Sequence, residues 1–115
     1  MTEKHLNRDV LIALQEVMED EYPELLDTFI NDSLGRLLVL RNAQDATQLM
    51  NAAHSFKGSS SNMGAAHLAE LCHELEQRAK QKKLVGIERL IESVEVEFAT
   101  VRPLYEAERQ RSLSE

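Results

Sequence analysis

From Leu68 onward the apolar residues fall at Leu68, Leu71, Cys72, Leu75 and Ala79, which is i, i+3, i+4, i+7 and i+11. That spacing lines one face of an α-helix and no face of a strand. The same period recurs in other segments. Val10, Leu11, Leu14, Val17 and Met18 mark a first helix over about Arg8 to Glu19, with Asn7 or Asp9 as its cap. Leu26, Phe29, Ile30, Leu37 and Leu40 mark a second, from Pro23 to about Asn42, with Ser33 as a polar gap in the stripe. A third starts near Asp45, a suitable cap, and reaches about Ser61. The fourth covers about Ala65 to Lys82, with Glu74/Arg78 and Glu76/Lys80 as i,i+4 pairs on its polar side. The fifth starts near Gly86 and keeps the period through Ile87, Leu90, Ile91, Val94, Phe98, Val101 and Tyr105. Pro103 predicts a kink or an end there, and Ser112–Glu115 a frayed tail.

No alternating strand pattern competes with this reading. The chain has 115 residues with only 4 Gly and 2 Pro, enough for one domain with its own core. The predicted fold is all-α: an antiparallel four-helix bundle over about residues 23–111 within a single 1–115 domain, and a short additional N-terminal helix across one end. The net charge of −7 argues against nucleic acid as a partner. No apolar run approaches the roughly 18 residues of a membrane span, and Met1–Asp9 is too polar for a secretory leader. Cys72 has no cysteine to pair with and sits in an apolar stripe, so it reads as core. A cytoplasmic chain able to stand as a monomer follows.

The stretch AHSFKGSSSNMG, Ala53 to Gly64, interrupts this helix-friendly background. A helix turns about 100° per residue. Leu49, Ala53, Phe56, Ser60 and Met63 form the inward stripe of the third helix. His54 lies two residues before Phe56, about 200° away, and so points outward. Met50, Asn51, Lys57, Gly58 and Ser61 share its face. Each has an ordinary reading taken singly: a solvated histidine, a solubilising lysine, a glycine or serine run at a helix end. Together they say more. Glycine inside a helix costs about 1 kcal/mol relative to alanine. Gly58, one turn beyond an outward imidazole, clears space beside it, and Lys57 supplies a cation for an anion carried there. An accessible imidazole with those neighbours suits a histidine that carries a phosphoryl group.

The string His54-Ser55-Phe56-Lys57-Gly58-Ser59-Ser60, followed by Met63-Gly64-Ala65 and Leu68, resembles the histidine-containing phosphotransfer (HPt) family. The flanking LAELCHELE and FINDSLGRLLVLRNA resemble that family's neighbouring helices, so the likeness covers nearly the whole chain, as a free-standing bacterial type. It implies a four-helix bundle and a phosphorelay. A receiver domain of a hybrid sensor histidine kinase would donate to His54, which would pass the group to a response-regulator receiver. It implies His54 as phosphoacceptor at Nε2 and Lys57 as phosphoryl-stabilising. Gly58 would allow close receiver docking, with Met50, Asn51 and Ser61 as further docking residues. Some members use a glutamine to orient the imidazole; here Glu76 aligns with it and Gln77 follows, so the role falls to either or to neither. Phe56 stands where leucine is common.

No Walker-type G-x-x-x-x-G-K-[ST] string and no carboxylate cluster for Mg²⁺ occur in the sequence. The chain therefore reads as a phosphocarrier with no cofactor of its own, its receiver partner supplying Mg²⁺. Two other readings compete. A metal site is weak: Glu70 and His73 fit Glu-x-x-His once, whereas paired-iron bundles need two copies, and His73 points about 200° from core residue Leu75. His67 and His5 have less support still. A helical adaptor without phosphorylation is the stronger alternative, since it explains the fold and the acidity equally well.

Overall fold

In a computed structural model that describes residues 5–114, five α-helices appear in the expected order and no strand occurs among the described residues. They are α1 (Arg8–Met18), α2 (Tyr22–Asn42), α3 (Ala46–Asn62), α4 (Ala66–Lys80) and α5 (Ile87–Leu113). A single 3₁₀ turn, Glu19–Glu21, joins α1 to α2. Asn7 caps α1 by accepting from the amides of Asp9 and Val10, and Asp45 caps α3 by accepting from Gln48.

The four long helices pack in a ring: α2 on α3, α3 on α4, α4 on α5 and α5 on α2. Short connections make successive helices antiparallel. The core is the sum of the inward stripes. Leu26, Phe29, Leu49, Phe56, Leu68, Leu75, Val94 and Phe98 all lie in it. Every residue of the α3 stripe is buried, from Leu49 to Met63. Cys72 is fully buried, and burial pushes its thiol up to about 12, so it is chemically quiet.

Four expectations need correction. Val17 is 78% exposed, because α1 touches the bundle through Leu11, Leu14 and Met18 and turns its far side to water. Pro103 does not end α5, which runs ten residues further to Leu113. The tail is held as well. The helix continues to Leu113, and the Ser112 and Ser114 hydroxyls donate to the Arg109 and Gln110 carbonyls. Glu115 lies outside the described residues, as do Met1–Lys4. Neither i,i+4 pair on α4 forms. Arg78 reaches the carbonyls of Lys83 and Val85 and closes the α4–α5 loop, while Glu76 turns toward α3.

One end of the bundle is fastened by polar groups the hydrophobic pattern did not reveal. Tyr22 donates to the buried Glu108 carboxylate at 2.6 Å, and Arg8 and Arg111 flank it. Arg111 in particular holds the Glu108 carboxyl below the usual range, against burial. Tyr105 donates to the Met63 carbonyl at 2.6 Å, and the Asn7 amide to the Gly64 carbonyl at 2.7 Å. Gly64 has φ 77°, and a Cβ there would sit 3.0 Å from the Asn7 carbonyl oxygen. Gly64→Ala is expected to lose about 1–3 kcal/mol of stability. Gly58, with open space where its Cβ would be, should gain up to about 1 kcal/mol on mutation to alanine. Urea denaturation of the two variants checks the opposite signs.

Candidate functional site

The register of the α3–α4 hairpin builds the site. The chain reverses at Met63–Ala65, so residues about ten before and ten after Gly64 come level across the two helices. His54 on α3 thus faces the part of α4 that carries His73, Glu76 and Gln77. Phe56 is fully buried and locks that stretch of α3 to the core, which leaves His54 on the outer face with 68% of its side chain exposed.

The imidazole is not free to rotate. Its Nδ1 lies 2.8 Å from Glu76 Oε2. The other carboxylate oxygen, Oε1, lies 2.7 Å from Lys57 Nζ. One carboxylate therefore holds both the histidine and the lysine. Its side chain is only 13% exposed, and Lys57 is 28% exposed. The Lys57 ammonium beside it is the main force holding the Glu76 carboxyl below its ordinary range; desolvation opposes it, and the His54 contact adds to it.

The chemical consequence follows from imidazole itself. A carboxylate accepts, so a neutral His54 carries its proton on Nδ1 and presents the Nε2 lone pair outward. The site holds a fixed tautomer, an accessible nitrogen and an adjacent ammonium. Such a set can accept and release an electrophilic phosphorus centre at Nε2.

The remaining residues from the sequence fall around this centre. Gly58 and Ser61 are exposed on the His54 face, and no atom lies within 4 Å of where a Gly58 Cβ would be. Nothing inside the molecule requires a glycine there. Asn51 is exposed but opens toward α2, where it borders a groove with Gly35, Arg36 and Val39. Arg36 reaches across to bond the Ser55 hydroxyl. The surface around His54 therefore extends over α2 as well as α3 and α4. Met50 is half-buried against the core. Between the two orienting candidates, Glu76 makes the contact to His54 and Gln77 does not.

His73 is exposed, as its angle from Leu75 predicts; its Nδ1 nevertheless lies 3.5 Å from Lys57 Nζ. Its position one turn before Glu76 was the available signal. Among the described residues no three acidic, histidine or cysteine side chains converge as a metal site.

Comparison with known proteins gives a consistent result. The family model for the Hpt domain matches residues 13–110. The histidine-containing phosphotransfer protein 2 of Arabidopsis thaliana is 26% identical over 104 residues, covering 82% of this chain and 67% of that protein. The crystal structure of histidine-containing phosphotransfer protein B (HptB) from Pseudomonas aeruginosa PAO1 is similar with a TM-score of 0.91. It is 56% identical, over 93% of this chain and 96% of that one.

The order of forces on Glu76 makes a prediction. Its depressed pKa means that the stabilising contacts are complete above the ordinary carboxylate value of about 4.3. They are lost only as pH falls through the lower folded value. Lys57→Met should move the Glu76 carboxyl titration upward more than His54→Gln does, as read by ¹³C NMR of the Glu76 side chain.

Proposed function

The chain belongs to the Hpt domain family, and from that membership we propose that His54 is the residue that carries the phosphoryl group. The protein is a histidine phosphotransfer protein of a phosphorelay and resembles HptB. Such proteins are carriers that work with phosphorelay kinases and receiver domains. No described helix is long and apolar enough to cross a membrane.

The observation that carries the assignment is the contact between His54 Nδ1 and Glu76, which leaves Nε2 as the exposed nucleophile. In the forward step Nε2 attacks the phosphorus of an aspartyl phosphate on a receiver domain. The Nε2–P bond forms, the acyl P–O bond breaks, and the aspartate leaves as a carboxylate. The Nδ1 proton stays in place, donated to Glu76, whose negative charge stabilises the imidazolium so formed. Lys57 faces the incoming phosphoryl oxygens and neutralises part of their charge. In the onward step a second receiver's aspartate attacks phosphorus, and His54 departs as a neutral imidazole with the same proton still on Nδ1. Mg²⁺ on the receiver would supply further charge neutralisation.

We assign the donor to a hybrid sensor kinase receiver and the acceptor to a response-regulator receiver. Gly58, Ser61 and Asn51 are read as docking positions, with Gly58 giving the partner's backbone close access to the imidazole. A monomer in the cytoplasm fits this role. An adaptor that is never phosphorylated would have no use for a carboxylate divided between a histidine and a lysine.

Incubation with phosphorylated receiver domains should give an acid-labile phosphate on wild-type protein and none on His54→Gln, with no labelling by ATP alone. Label from ATP without a kinase would overturn the carrier assignment. Gly58→Leu is expected to keep its helical circular dichroism yet transfer at least ~10-fold more slowly, since a misplaced approach costs on the order of 100-fold. An unchanged rate would remove the docking role of Gly58.

A further inference from the structure

Lys57 has two partners on α4. Its Nζ lies 2.7 Å from Glu76 Oε1 and 3.5 Å from His73 Nδ1. An ammonium group has three N–H donors and no lone pair, so it can donate to His73 while its charge pairs with the Glu76 carboxylate. Nδ1 of His73 can accept only while that ring is neutral and carries its proton on Nε2. A protonated His73 has no acceptor to offer and presents a like charge to the lysine.

The two contacts differ in strength. The carboxylate contact is charge-assisted on both sides, whereas the imidazole contact is to a neutral acceptor at longer range. When a phosphoryl group approaches His54, Glu76 is needed at Nδ1. The contact with His73 is the one Lys57 can surrender. We propose that His73 is a positioning residue: as a neutral imidazole it tethers Lys57 to α4, and when protonated it releases Lys57 toward the phosphoryl group at His54. This rests on the reading of His54 as acceptor and Lys57 as its counter-cation.

The surroundings contain the charges that act on His73. Lys57 faces it from α3, and Glu70, Glu74 and His67 line the same groove from α4. Glu76 reaches the pair through Lys57. The first helix contributes Val10, and Asn7 just before it, to that groove, neither of them titratable. Both His73 and the groove are open to water.

Potassium phosphoramidate tests this without a protein partner. Nε2 attacks its phosphorus, the P–N bond of the reagent breaks, and ammonia leaves. Initial labelling rates are measured by ³¹P NMR from about pH 5.5 to about pH 8.5, the range in which imidazoles titrate. Each variant is compared with wild type at the same pH, which cancels the reagent's own pH dependence. His73→Ala should label about threefold faster than wild type at the alkaline end, the size of one partly exposed hydrogen bond. That ratio should fall to about one at the acid end. His73→Gln accepts without titrating, so it should match wild type in alkali and fall below it in acid. With Lys57→Met in place, His73→Ala should have no effect. Ratios near one throughout, or a uniform loss at every pH, would overturn the tether. Label that persists in His54→Gln would instead overturn the assignment of the site on which the tether rests.

Discussion

The reversal at Met63–Ala65 sets the register on which the site depends. Gly64 makes it with φ 77°, a conformation that a side chain would strain. The turn is then held from three directions: by the Ser60 carbonyl through the Ala65 amide, by Tyr105 on α5 through the Met63 carbonyl, and by the Asn7 amide through the Gly64 carbonyl. A shift of α4 by one residue would rotate each of its side chains by about 100°. Glu76 would leave His54, and the imidazole would lose its fixed tautomer. The turn lies roughly 15 Å along the helix from His54, at 1.5 Å per residue. It acts on the chemistry through rigid helix geometry alone.

Within that register, Glu76 couples two functions that an amide at the same place could not couple equally. A glutamine oxygen could orient the imidazole, but it carries no charge to bind Lys57. The carboxylate gives one oxygen to each. Lys57 in return keeps Glu76 ionised, against the desolvation that works the other way. The imidazole, the carboxylate and the ammonium are thus mutually stabilising within the chain itself. Little reorganisation remains for the moment of transfer.

Much of this was legible in the sequence, and the failures have physical causes. The 3.6-residue period gave the five helices, because each long helix buries one stripe against the others. It also gave the outward direction of His54, because Phe56 two residues away must face the core. The period could not find contacts made by polar side chains across helices. Glu76 and Lys80 have helix-pair spacing, yet Glu76 prefers a cross-helix lysine and histidine that only the packed hairpin brings close. The same limit hid the Tyr22–Glu108 bond and the Lys57–His73 contact. Pro103 does not end its helix for another reason. A proline removes one amide, but the inward stripe continues through Tyr105, and the burial there outweighs one lost bond.

Helix α3 shows how stability and function are kept apart. Its inward stripe, Leu49 to Met63, is buried and carries the packing energy. Its outward face, with His54, Gly58 and Ser61, contributes little to the core and is free to serve a partner. Gly58 makes the division plain. It weakens the helix by about 1 kcal/mol relative to alanine, and no neighbour occupies the space it leaves. A glycine that neither a turn nor a close internal contact requires gives nothing back to the fold. The proposed docking of a partner beside the imidazole one turn away would give that glycine its use. Gly64 is the opposite case: a side chain there meets Asn7 and Val10, and its cost would be borne by the fold itself.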